Sequence, residues 1–212
     1  MERVAEHVFD LSGGQLGLDF VNTVAGMRGV EPRERLSSYA DLVAFARQTR
    51  AISDAKAARL LEEAARRPDD AARTLESVKA VREALYRAFV DRVAGRAQAA
   101  ADLAAVNAAL GRALSHRCIA VRDGALVLEF CEEVVDLESP AWAPVSAAAD
   151  LLASPGELAR VRMCGMCECG ECSWLFVDRT KARTRRWCSM KDCGNRAKAR
   201  RHYARVKGGI TP

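Results

Sequence analysis

Residues 164–193 read CGMCECGECSWLFVDRTKARTRRWCSMKDC and hold six of the chain's eight cysteines: Cys164, Cys167, Cys169, Cys172, Cys188 and Cys193. A disulfide-rich secreted domain spreads its cysteines along the chain, whereas this clustering suits a metal site. The spacing Cys167-x4-Cys172-x15-Cys188-x4-Cys193 supplies two thiolate pairs. Each pair closes a tight knuckle, and the segment between them loops back to bring the knuckles together. Thiolates are soft ligands that favour zinc over magnesium or calcium. Four of them leave no open position, so the expected role is structural: one zinc per chain held by Cys167, Cys172, Cys188 and Cys193. Cys164 and Cys169 compete with Cys167 for the first place, and six thiolates are too few for two full sites. A module this small cannot build a sufficient core alone. Trp174, Phe176 and Trp187 can form an apolar cluster beside the metal, which supplies much of the remaining stability.

Outward from this stretch, the charge divides the chain. The 212 residues carry a formal net charge of +5, yet Arg179–Lys207 holds twelve Lys/Arg against the single acid Asp192, so the remainder is net acidic. A basic segment beside an acidic body points to a polyanion partner. With 50% hydrophobic and 29% charged residues, the chain belongs with globular proteins and not disordered ones. No apolar run is long enough to span a bilayer. Met1–Glu6 lacks an apolar signal core, so a cytoplasmic protein is expected, without a membrane partner.

Before the cysteines the periodicity is mainly helical. Tyr39, Leu42, Val43, Phe45 and Ala46 recur at helical spacing; Ser53 reads as an N-cap; Pro68-Asp69-Asp70 opens a longer helix with Leu75, Val78, Val81, Leu85, Phe89 and Val93 on its apolar face. Leu103–Leu114 and a stretch near Trp142–Leu152 continue the pattern. One hairpin is expected where Asp123-Gly124 separates Cys118–Val121 from Leu126–Phe130. Cys118 and Cys131 read as small buried hydrophobes. Gly26–Glu34 reads as a flexible connection. The expectation is a mainly α protein with a small β-hairpin. Residues 1–160 would form a helical domain that folds by itself and carries any self-association. Residues 161–207 would form a treble-clef-like zinc module ending in a basic helix.

Cys172-Ser173-Trp174-Leu175-Phe176-Val177-Asp178, with Arg185-Arg186-Trp187-Cys188 and the tetrad Cys193-Gly194-Asn195-Arg196, resembles the CGNR zinc-finger family. Gly13-Gly14 with Leu18-Asp19-Phe20-Val21-Asn22-Thr23 resembles the start of the ABATE domain that precedes such fingers. The resemblance implies a bacterial stress-induced transcription regulator whose finger binds duplex DNA. It also implies a first knuckle with four residues between its cysteines, which favours Cys167, although the cysteine-rich 164–169 expansion departs from the pattern.

From about Met190 the residues suit a helix. Asn195, Arg196, Lys198, Arg200, Arg201 and Arg205 are its candidate DNA contacts, with Arg196 reading a base. The alternative for Asn195 is to cap the knuckle, and for Arg196 to offset the thiolate charge. Asp19 and Asn22, polar in the apolar stretch Leu16–Val24, either bond internally or line a pocket for a small-molecule effector. No G-x-S-x-G, P-loop or G-x-G-x-x-G motif is present, so a non-enzymatic regulator is expected, with homodimer formation as a further possibility. The competing readings are a thiol redox or metal sensor using the surplus cysteines, and an enzyme of unknown reaction in the N-terminal part.

Overall fold

A computed structural model describes residues 8–208; the N-terminal stretch read for export lies outside them. The elements run α1 (Leu16–Val21), β1 (Val24–Met27), β2 (Glu31–Glu34), α2 (Tyr39–Gln48), α3 (Asp54–Arg66), α4 (Pro68–Val93), α5 (Ala100–Leu114), β3 (Arg117–Arg122), β4 (Ala125–Phe130), α6 (Ser139–Ala153), α7 (Pro155–Leu158), β5 (Val161–Met163), β6 (Leu175–Val177) and α8 (Asn195–Gly208). The protein is mainly helical, and the strands among the described residues form three antiparallel pairs, β1–β2, β3–β4 and β5–β6.

Local chemistry accounts for the helix starts. Ser38 and Asp41 form a reciprocal capping box on α2, and the Ser53 hydroxyl accepts from Lys56 N at the start of α3. Pro68 opens α4, where its missing N–H costs nothing, and Asp69 and Asp70 complement the helix dipole. In the β3–β4 turn, Asp123 and Gly124 both have positive φ (50° and 79°), as a two-residue hairpin turn with the right twist demands. Cys118 and Cys131, expected to be buried, are half-buried free thiols.

The core gathers α1, α2, α4 and α6. Leu18, Phe20 and Val21 of α1 are fully buried, and Phe20 tilts against Phe45 of α2 at 6.0 Å. α1 fits this closely because Gly17 lies on α6: a Cβ there would meet Ala148 at 2.4–2.6 Å.

Gly26–Glu34, expected to be flexible, is instead the β1–β2 hairpin, with Val24 opposite Glu34 and Met27 opposite Glu31. Two arginines pin it to α4 and its surroundings. Buried Arg82 grips Glu34 through two bonds of 2.7 Å and also donates to Thr23 Oγ1. Arg28 lies 3.8 Å from the centre of the Tyr86 ring and pairs with Glu83 at 3.0 Å.

The main core does not end at residue 160. Alternation along β6 sends Leu175 and Val177 into it together with Val161 of β5, while Phe176 joins a second cluster formed by Cys164, Met166, Cys172, Cys188 and Cys193. Backbone and side-chain bonds close the same seam. Asn22 Nδ2 donates to Leu175 O at 2.7 Å, and Asn22 Oδ1 accepts from Leu175 N at 3.0 Å. Val177 N donates to Gly13 O, Ser173 N to Gly26 O, and the Trp174 indole to Val24 O.

Candidate metal centre and basic helix

Four cysteines converge. The Sγ atoms of Cys164, Cys172, Cys188 and Cys193 all lie within 4.8 Å of one another, and all four residues are buried. Cys172 Sγ is 3.8 Å from Cys188 Sγ, which is 3.6 Å from Cys193 Sγ. A tetrahedral zinc with bonds of about 2.3 Å has sulfur–sulfur edges of about 3.8 Å, so the donor set fits one such ion. With every position taken by protein sulfur, the ion would be structural.

Three segments build the cluster. Cys164 follows β5 and Cys172 precedes β6, where Cys164 N donates to Trp174 O at 2.9 Å. Cys188 ends the loop beyond β6. Cys193 lies in the wide helical turn Met190–Gly194 that leads into α8, and Ser189 caps this turn by accepting from Asp192 N. Asp178 organises the loop between: its carboxylate accepts from Thr180 N, Thr180 Oγ1 and Arg185 N. Arg185 in turn donates to Trp187 O and lies over the Phe176 ring at 4.4 Å.

The first ligand differs from expectation. Cys164 occupies the position expected of Cys167. Strand pairing sets Cys164 opposite Trp174, two residues from Cys172, whereas Cys167 falls in the 3-10 turn Cys167–Cys169, half-buried and outside the cluster; Cys169 is exposed. The sequence carries no signal that separates Cys164, since glycine directly follows Cys164, Cys169 and Cys193 alike. At Gly165 the backbone passes close to the loop, its N–H bonding Arg186 O at 2.7 Å.

Four thiols this close cannot all ionise without a cation. Hydrogen bonding from Cys172 leads the set of interactions that push the Cys164 thiol down, while the bonds with Cys164 push Cys172 and Cys188 up. A bound divalent ion would leave a net charge near −2, and Arg196 is set against it. Its guanidinium donates to Cys193 Sγ at 3.1 Å and pairs with Glu171 and Asp192. Burial opposes its charge, but these partners hold it protonated.

The remaining predicted residues separate into two sets. Asn195 Nδ2 donates back to Lys191 O at 2.9 Å, bonding within the knuckle. Arg200 pairs with Glu171 at 2.5 Å, and Arg201 lies 6.0 Å from the Trp187 ring centre. Lys198 and Arg205 are exposed and have no ion pair or side-chain hydrogen bond among the described residues. At the other end of the site, Asn22 is satisfied by Leu175. Asp19 accepts from Gly13 N at 2.8 Å and borders a cavity of about 190 Å³ that reaches the cysteines. Burial pushes the Asp19 carboxyl up to about 7 against the opposing bonds from Gly13 and Gly14.

Comparison with known families agrees with this anatomy. Residues 14–155 match the ABATE family, described as "putative stress-induced transcription regulator", and residues 160–206 match the CGNR zinc finger. The chain belongs to the ABATE family. Its CGNR finger contains the whole four-cysteine cluster and, in Cys193-Gly194-Asn195-Arg196, the tetrad that includes both a ligand and the arginine on that ligand's sulfur. Among curated proteins, none matches the chain. No helix among the described residues is long and apolar enough to cross a membrane.

Proposed function

We propose that this ABATE protein is a zinc-stabilised regulator that binds duplex DNA through α8 and responds to a small ligand. The observation that carries the DNA reading is the surface of α8. From Asn195 to Val206 it has no acid, and it presents Lys198 and Arg205 to solvent. Lys181 and Arg183, in the loop before Cys188, add to the same charge. Exposed cations without partners gain most from phosphates, because no internal pair has to be broken.

In this reading Arg196 is a positioning residue on the metal centre and not a base reader, and Asn195 caps the knuckle. Arg196→Ala should therefore lower zinc retention and thermal stability before it alters sequence preference. About five phosphate contacts would give log affinity a slope of roughly −4 to −5 against log salt. Replacing Lys198 or Arg205 with Ala should reduce the slope by about one each, and the double variant should hold its zinc. Unchanged DNA binding in a zinc-loaded Lys198→Ala/Arg205→Ala variant would sink the assignment of α8. The thiol-switch alternative fits less well, since burial pushes the Cys167 thiol up and away from the reactive thiolate. The family assignments support a regulator and not an enzyme.

A further inference from the structure

The cavity of about 190 Å³ lies where β2, the segment after α1 and the finger meet. Asp19, Thr23, Arg33, Arg35 and Trp174 line it, and Cys172, Cys188 and Cys193 contribute one wall. Asp19, Thr23 and the cysteines are buried, whereas Arg33 and Arg35 are exposed, so the recess has a closed floor and a cationic rim.

The rim follows from strand alternation. Glu34 turns to buried Arg82, so the residues on either side of it, Arg33 and Arg35, share the opposite face. Arg35 N donates to Thr23 O, which continues the ladder one residue past β2. The structure gives neither guanidinium a hydrogen bond or ion pair among the described residues. The acids nearby are already engaged: Glu171 by Arg196 and Arg200, Asp192 by Arg196, and Asp10 by Ser12 N. The Thr23 hydroxyl is engaged too, donating to Phe20 O and accepting from Arg82, so what is left to recognise a ligand is two free guanidiniums, one buried carboxyl and the face of an indole.

We propose that this recess binds a small free anion, a short dicarboxylate or a phosphomonoester, whose charged end is gripped by Arg33 and Arg35. The proposal deepens the ligand-sensing part of the function proposed above and rests on it. Guanidinium forks suit carboxylate and phosphate oxygens, and two of them on one strand face can share a single oxyanion. A recess of about 190 Å³ has room for such an anion. Burial raises the Asp19 carboxyl, so a protonated fraction at neutral pH can donate to a ligand oxygen at the floor. An occupant touching β2 on one side and Trp174 on the other would tie the N-terminal body to the finger.

The test uses the full-length zinc-loaded protein, titrated calorimetrically with inorganic phosphate and separately with succinate, against chloride at matched ionic strength. Saturable one-to-one binding of phosphate or succinate is expected. Arg33→Ala/Arg35→Ala, both surface changes, should weaken it about tenfold or more while zinc content and melting temperature without ligand stay constant. Lys198→Ala/Arg205→Ala should leave anion binding intact, so failure of the DNA reading and failure of this one are separable. Absence of saturable binding by both anions, or equal binding by the Arg33/Arg35 variant, overturns the proposal. Loss of DNA affinity in that variant with no anion binding by wild type would also overturn it, and would make the two arginines contacts to the DNA backbone.

Discussion

Asp19→Asn should make the protein more stable above neutral pH, by an amount that the carboxyl's environment sets. In the folded state burial raises the Asp19 carboxyl from 3.8 to about 7, with Asp10 adding to the rise and the Gly13 and Gly14 amides opposing it. Its folded-state value therefore exceeds its unfolded one. The stabilising contribution is fully present below about pH 4 and is lost as pH rises through the folded value near 7. Three pH units at about 1.4 kcal/mol each bound the total at about 4 kcal/mol. Zinc thiolates protonate in acid, so the useful window opens near pH 5.5, and from there to pH 8 wild type should lose about 2 kcal/mol through this residue. Asparagine keeps an oxygen for Gly13 N and cannot ionise. The other ionisable groups are common to both proteins and cancel in the difference. Urea denaturation of zinc-loaded wild type and variant at pH 5.5, 6.5, 7.5 and 8 measures that difference. A difference in unfolding free energy that does not change across the window would refute a carboxyl held near 7.

Cys164→Ser should abolish stoichiometric zinc in freshly purified protein, while Cys167→Ser and Cys169→Ser keep it; metal analysis decides, and the reverse pattern would overturn the ligand set. Asn22→Ala leaves the buried Leu175 N–H and C=O without partners, so denaturant unfolding should register a loss of about 2–4 kcal/mol, and a change below about 0.5 kcal/mol would contradict the seam. On β3–β4, the pairs Ile119↔Leu128 and Val121↔Leu126 expose one apolar face, each side chain between 58% and 76% accessible. A second copy stacked on that face would bury on the order of 1,000 Å² in total, near the lower limit of stable interfaces. Sedimentation should show a dimer that Ile119→Glu/Leu128→Glu converts to monomer, and a wild-type monomer at tens of micromolar would refute it.

Where periodicity and punctuation act within one element, the sequence was readable. Ser38, Ser53 and Pro68 mark helix starts, Asp123-Gly124 marks the turn, and the apolar spacing of α4 marks its buried face. Three of the four clustered cysteines could be read from spacing and family resemblance together. Cys164 escaped because its place depends on the β5–β6 pairing, and strands of three residues carry too little alternation to announce themselves. The β1–β2 hairpin escaped for a related reason. Its order comes from Arg82 on Glu34 and from Glu83 and Tyr86 on Arg28, partners more than forty residues away, and nothing inside Gly26–Glu34 signals them. Asn22 stood out as a polar residue in an apolar stretch, but its partner, the backbone of Leu175, lies 153 residues on. The cavity beside Asp19 forms only when those distant segments meet.

β6 faces two cores at once, and this bears on the order in which the chain can be assembled. Leu175 and Val177 complete an interior whose other walls come from α1, α2, α4 and α6, all of which are synthesised earlier. Until β6 is in place, that interior lacks part of its lining and Asn22 lacks its partner. On the other face of the same strand, Phe176 packs with the cysteines, whose arrangement requires an ion. Metal capture and closure of the N-terminal body are thereby steps of one event. A cell short of zinc would accumulate chains whose helices have formed but whose interior remains unsealed, open to proteases along the first hundred and sixty residues as well as at the finger.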